Sequence, residues 1–184
     1  MRIIWKTTRL ILVCYMGFIL ASCSDREETQ NSYPLADFEF KSIFGTHKND
    51  KHTSFCLLGQ GFFRTPRSSN SDTLLFDWIK NHPKSMVVPV SSFGPSVTDD
   101  QMSQMKYCWI IDSKDTLNNY LVRNGCFPGG TMQVPQFIPG GKSTIKMFMN
   151  DKSYLQFIAQ IKVAETFARE HKLGIWSKYE NEEK

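Results

Sequence analysis

Apolar and polar residues change their spacing several times along this chain, and each change marks an element. In ADFEFKSIFG (36–45), Phe38, Phe40 and Ile43 partly alternate with polar neighbours, the period of a half-buried strand. The polar run His47-Lys48-Asn49-Asp50-Lys51 reads as a turn, and TSFCLLG (53–59) as the second strand of a hairpin. Past Thr65-Pro66 the period lengthens. Leu74, Leu75, Trp78 and Ile79 share one helical face, Ser71 or Asp72 can cap the helix, and Pro83 stops it after TLLFDWIKN (73–81). Two strands follow, SMVVPVSSF (85–93) and MKYCWII (105–111), with a loop over 94–103 between them; Pro89 demands an edge or a bulge. The turn DSKD (112–115) leads to a short helix, TLNNYLVRN (116–124), ended by Gly125. Residues 127–150 carry two Pro-Gly-Gly units and a strand-like STIKMFM (143–149). Last, an apolar stripe of Tyr154, Leu155, Phe157, Ile158, Ile161, Ala164, Phe167 and Ala168 predicts a long helix from Lys152 to near Lys172, with Gly174 as its stop.

Strands, a helix, more strands and then helices is the order of neither a doubly wound sheet nor a helix bundle. It suits an α+β domain, a small barrel carrying about three helices.

The first 22 residues stand apart. Arg2, Lys6 and Arg9 accompany the apolar core LILVCYMGFILA (10–21), which is short for a bilayer span and shaped as a secretion signal. The junction Leu20-Ala21-Ser22-Cys23 resembles a bacterial lipobox, so residues 1–22 are expected to be removed and Cys23 to carry lipid, tying the chain to a membrane. Ser24 lacks the aspartate associated with inner-membrane retention. The expected location is therefore the bacterial cell envelope, with the outer membrane favoured and the domain facing the periplasm or the exterior. Residues 23–32 read as a polar tether, 33–178 as the folded domain and 179–184 as a polar tail.

Removing the signal changes the charge. The whole chain has 22 Lys+Arg against 18 Asp+Glu, but three of the bases precede Cys23, which leaves 19 against 18. Strong nucleic-acid binding draws on a clustered basic surface, which this near-neutral total does not support. Nucleic acid is thus a weakly supported partner beside a protein or a small anionic ligand. Of the five cysteines, Cys14 leaves with the signal and Cys23 takes the lipid. In an oxidising envelope Cys56, Cys108 and Cys126 would give one disulfide and one thiol. Cys108 with Cys126 is favoured, because a strand and the end of the following helix can lie close together.

Other candidate chemistry is sparse. GGKST (140–144) lacks the earlier glycine of a phosphate-binding loop, since Gln136 stands there, and Pro139 interrupts it. His47, His52, His82 and His171 are scattered and form no metal or catalytic spacing. No G-x-S-x-G is present. Cys56 and His52 share a strand face without identifying a base. Phe62, Phe63, Tyr107 and Trp109 serve either a core or a base-stacking surface.

Three stretches carry a family resemblance. AETFAREHKLGIWS (164–177) is similar to the final helix and exit of thermonuclease-like (staphylococcal nuclease-like) domains, with their Ala-Glu pair, basic helical stretch and Leu-x-Ile-Trp ending. YCWIIDSKDTLNNYLVRNG (107–125) resembles their last barrel strand, turn and short helix ending in Leu-Val-Arg-x-Gly. SFCLLGQGFFRTP (54–66) is a looser match to the strand and Thr-Pro corner that carry catalysis there. The resemblance implies an OB-type five-stranded barrel with three helices.

Active members of that family hold calcium on carboxylates, place a glutamate beside the Thr-Pro turn and neutralise the phosphate with arginines. A hard cation needs several oxygen ligands, and charge growing on a phosphate needs fixed cations. Carried over position by position, the strand arginine falls on Cys56, the aspartate before Thr-Pro on Arg64, and the glutamate after it on Arg67. A second arginine has no equivalent in DDQMSQMKY (99–107), where Lys106 is the nearest base. Asp37 best matches the first-strand aspartate, with Glu39 beside it, and Asp99 or Asp100 can approach from a loop. No catalytic residue, metal ligand or cofactor is assigned on this basis. Arg64, Arg67 and Lys106 form a candidate patch for an anion or a partner. The expectation is a degenerate nuclease-like domain acting in binding or assembly; the alternative is a divergent metal-dependent nuclease or phosphodiesterase.

Overall fold

The structure, a computed structural model, describes residues 32–61, 64–93, 104–113, 115–135 and 145–181. The signal, Cys23, most of the tether, Phe62-Phe63, Asp99, Asp100, the GGKST run and residues 182–184 lie outside the described residues.

Among the described residues, eight strands and three α-helices follow in the order β1 (Tyr33–Pro34), β2 (Phe38–Phe40), β3 (Phe44–His47), β4 (Asp50–Cys56), α1 (Ser71–Asn81), β5 (Met86–Phe93), β6 (Gln104–Asp112), β7 (Asp115–Thr116), α2 (Leu117–Arg123), β8 (Lys146–Met147) and α3 (Asp151–Glu170). One sheet joins them as β1-β5-β6-β4-β3-β2, with β7 on β6 and β8 on β5. The pair β4–β6 is parallel and the remaining pairs are antiparallel. The strands at the two ends of this path, β1 and β2, are neighbours in the chain, linked only by the 3-10 turn Leu35–Asp37. Its ends are thereby held together, and the sheet curls. Inside the curl, Tyr33 lies edge-on to Phe38 and Phe55, with ring centroids 6.1 and 6.4 Å apart. The result is an α+β fold of OB-type topology, a nearly closed mixed sheet with six strands along its path where five were expected, carrying three helices among the described residues.

The stretch expected as a first strand is two strands. Lys41 N–H donates to Phe44 O at 3.0 Å, so 41–43 is a tight turn and β2–β3 is a hairpin of its own. No glycine or proline marks that turn, so the apolar spacing runs across it. Gly45 is the sign of the pairing: it faces Phe40, and a Cβ there would come within 2.7 Å of the Phe40 ring. Pro89 sits at a register shift in β5, which lies inside the sheet; it marks a bulge, not an edge.

Helix α1 begins as expected, but Asn70 holds the cap position and its Oδ1 takes the Ser68 hydroxyl at 2.7 Å instead of a helix amide. Thr116 and Asn150 cap α2 and α3 through the amides of Asn119 and Ser153. The buried seam of α3 is Phe157, Ile158, Ile161, Ala164 and Ala168. Phe157 stacks on Trp109 of β6 at 3.6 Å. Leu155, counted in the apolar stripe from sequence, is 65% exposed. At 3.6 residues per turn it falls roughly 135° around the helix from the centre of that seam.

Two tight spots fix the helices on the barrel. Asn118 of α2 is fully buried: its amide donates to Leu57 O at 2.9 Å and Cys108 O at 3.2 Å, and its Oδ1 accepts from Ile110 N–H at 3.1 Å. It joins the exit of β4, β6 and α2. Sequence reasoning missed it; the only signal was a polar residue one place after Leu117 and three before Leu121. At the other spot, Gly125 (φ +66°) and Gly174 (φ +53°) meet backbone to backbone. Ile175 N–H donates to Gly125 O at 2.9 Å. A Cβ on Gly125 would lie 2.1 Å from Leu173 O, and one on Gly174 would lie 2.1 Å from Gly125 O. The two stretches with the most specific resemblance therefore clasp each other. A 3-10 helix, Gly174–Asn181, follows, and Trp176 packs under the Arg169 guanidinium at 3.7 Å.

Candidate functional site

The corner begins where β4 leaves the core. Leu57 and Leu58 are fully buried, and the next residues are bolted to the segment 131–134. The amides of Gly59 and Gln60 both donate to Thr131 O (2.8 and 3.0 Å), and Gln60 Nε2 donates to Val134 O at 2.9 Å. A Cβ on Gly59 would lie 1.9 Å from Gln133 O. The chain then turns at Gly61, whose φ of +65° is a glycine conformation. Gly61 O accepts from Arg64 N–H at 3.0 Å and from the Thr65 hydroxyl. On the far side Ser68 is buried and its N–H donates to Cys126 O at 3.1 Å. Between these two anchors run Thr65, half-buried, and Pro66, exposed, with Arg64 and Arg67 exposed on either side.

The two arginines differ. A guanidinium nitrogen of Arg67 lies 3.5 Å from Asp72 Oδ2, and its other terminal nitrogen 3.5 Å from Ser42 Oγ. Ser42 in turn donates to Asp72 Oδ1 at 2.6 Å. Asp72 also stands in the first turn of α1, where the helix dipole favours a carboxylate. The ion pair is wet, its side chains 53% and 40% exposed, and worth about 0.2–1 kcal/mol at most. Among the described residues no carboxylate pairs with Arg64. Among the described residues, the corner presents one partly compensated cation and one with no ion-pair partner.

Lys106 keeps other company. It pairs in register with Phe55, and its ammonium sits 5.5 Å from that ring. The Asp50 carboxyl is held below the usual range chiefly by the Thr53 hydroxyl and then by the His52 and Thr53 amides, with Lys106 contributing least and partial burial opposing. Lys106 thus belongs to the β4–β6 surface, and no contact among the described residues joins it to Arg64 or Arg67. Asp37 ends the first 3-10 turn, and Glu39 is exposed opposite Thr46. Neither pairs with either arginine.

The residues do not fit the calcium site that the resemblance implies. Arginines occupy both flanks of Thr65-Pro66, and Asp72, the carboxylate bonded into the corner, is already engaged by Ser42 and Arg67. Among the described residues no three His, Cys, Asp or Glu side chains gather to hold a metal ion. The strand position that the resemblance gives to an arginine is sealed. Cys56 is 0% exposed, receives Leu58 N–H at 3.4 Å, and has its thiol pushed up to about 12 by burial. No thiolate is available there for a pair with the exposed His52.

All three described cysteines are buried free thiols, and the expected bond between Cys108 and Cys126 is not formed. Cys108 lies on β6 beside β4, its Sγ 3.6 Å from Cys56 O. Cys126 lies past α2 beside Ser68, its thiol pushed up to about 11, mainly by burial. Tyr107 and Trp109 are core residues: Trp109 Nε1 donates to the Tyr107 hydroxyl at 2.9 Å, which donates to Met132 O. Two of the histidines play one structural part. His82 and His171 each follow the end of a helix, bond through Nδ1 to the carbonyl four residues back, and stack at 4.0 Å on the aromatic ring there, Trp78 or Phe167.

No protein-family model matches the chain, and a search of curated proteins finds no match.

Proposed function

We propose that this chain is a lipid-anchored envelope protein whose barrel is a degenerate thermonuclease-like domain, using the Thr65-Pro66 corner to hold an anionic ligand or an acidic partner surface. One observation carries the reading. The corner keeps a rigid frame, anchored at Gly59–Gln60 by Thr131 and at Ser68 by Cys126, while its two projecting side chains are both cations. A frame of this kind fixes where the two arginine side chains leave the backbone, and guanidinium groups suit carboxylate or phosphate. The lipid anchor rests on the Leu-Ala-Ser-Cys junction at 20–23 alone.

Titration with inorganic pyrophosphate, followed by chemical-shift changes at the corner amides, tests this reading. Binding that falls at least about fivefold in Arg64→Ala/Arg67→Ala, with the fold intact, supports it; about 1 kcal/mol for two exposed charge contacts sets that scale. Unchanged titrations in the double variant would overturn it. The rival reading, a divergent metal-dependent nuclease or phosphodiesterase, needs carboxylates brought to Thr65-Pro66 from outside the described residues, and Asp99 and Asp100 are the candidates.

A further inference from the structure

The outward face of α3 has the makings of a contact surface. Lys152, Leu155, Ala159, Val163, Thr166 and Glu170 follow one another at spacings of three or four residues, so they form a single stripe along the helix. All six are exposed, and Leu155 and Val163 are 65% and 68% so. The stripe lies on the side opposite the centre of the buried seam of Phe157, Ile158, Ile161, Ala164 and Ala168, and among the described residues its apolar middle is left exposed.

The charges at its two ends say what kind of surface would cover it. Lys152 stands in the first turn and Glu170 at the last residue, so each charge sits where the helix dipole disfavours it. Neither is explained by stabilising its own helix. The same two charges are complementary to a reversed copy of themselves. In an antiparallel pair of α3 helices centred on Ile161, Ala159 faces Val163 of the second copy, and Lys152 faces Glu170 at both ends. A small residue set against a branched one permits close approach, and Leu155 comes to lie over Thr166. A parallel pair would instead set lysine against lysine and glutamate against glutamate.

We propose that α3 is a self-association surface on which two copies of this chain pack antiparallel. One helix pair buries a small area, so the dimer is weak and concentration-dependent. The reading stands on α3 alone and is independent of what the Thr65-Pro66 corner binds.

Sedimentation equilibrium of the full chain in density-matched detergent is the test. The wild type shows a monomer–dimer equilibrium. Val163→Glu abolishes it. Lys152→Glu and Glu170→Lys each weaken it at least about tenfold, since each reversal replaces two attractive pairs by two repulsive ones. The double reversal restores affinity to within about threefold of wild type. All these positions are exposed, and unchanged circular dichroism certifies the fold of each variant. A wild-type monomer at every concentration would overturn the proposal, as would single reversals without effect or a double variant that is not restored. A monomer that binds anionic lipid vesicles through Val163 would assign the stripe to a membrane and overturn it equally.

Discussion

The exit of β4 and the junction of α2 with the end of α3 both resemble parts of one nuclease-like family, yet they are built from opposite materials. At the junction, Gly125 and Gly174 bring backbone against backbone, with no room for a side chain on either. At the corner, the residues that matter are exposed arginines, one of them held by two wet contacts of 3.5 Å, to Asp72 and Ser42. The clasp is a demand of the fold, whatever the protein does. The corner is where chemistry would be decided, and there the residue types depart from the family. A resemblance carried by packing residues therefore reports architecture and leaves activity open.

The comparison breaks first if the clasp is softer than its geometry implies. Gly125→Val and Gly174→Val each combine a positive φ with a Cβ placed 2.1 Å from a carbonyl oxygen, and should cost more than about 3 kcal/mol in urea unfolding. A loss below about 1 kcal/mol would show that the strands of chain there are not locked. Asn118→Leu comes next. It orphans two buried carbonyls and an amide, and about 2–4 kcal/mol should be lost, with near-normal far-UV dichroism in the surviving fold.

The buried thiols give a pH-dependent effect of middle size. Burial favours the neutral form, raising Cys56 to about 12 and Cys126 to about 11. The associated stability is complete below the ordinary thiol value of 9.0 and is lost as pH climbs toward those raised values, because the unfolded chain ionises first. Stability should thus decline above pH 9, and native protein at pH 8 should leave the buried Cys56, Cys108 and Cys126 unmodified by a thiol reagent. Rapid labelling of Cys56 without unfolding would contradict the sealed strand.

The smallest effects belong to the corner. Arg64→Ala and Arg67→Ala should each change stability by less than about 0.5 kcal/mol. For pyrophosphate binding, Arg64→Ala should be the more damaging of the two, since Asp72 already offsets Arg67. Asp72→Asn should raise affinity by about two- to threefold, the effect of freeing one exposed arginine from its partner. Equal losses for the two arginines would show that the Ser42–Asp72 contact does not distinguish them in solution.

The order of strands and helices was legible because long elements carry long periods. Leu74, Leu75, Trp78 and Ile79 placed α1, and the aromatic run at 107–109 placed β6. The β2–β3 reversal was not, because 41–43 has no turn residue and the pairing of Phe40 with Gly45 is visible only in three dimensions. Leu155 was miscounted because apolar character alone cannot tell a buried seam from an exposed stripe. At the candidate site, the arginines and the sealed strand position were readable as residue types. The separate setting of Lys106 was not, since it depends on the parallel register that sets it against Phe55. Asn118 shows the same limit: its amide reaches Leu57 O, 61 residues away in the chain.

The most direct test of the proposal that this barrel keeps the corner without its chemistry is incubation of the full chain with single-stranded DNA and RNA, in calcium, in magnesium and in chelator. No cleavage is expected under any of these conditions. Divalent-dependent cleavage that co-purifies with the chain would contradict it, whether or not it survives Arg64→Ala/Arg67→Ala.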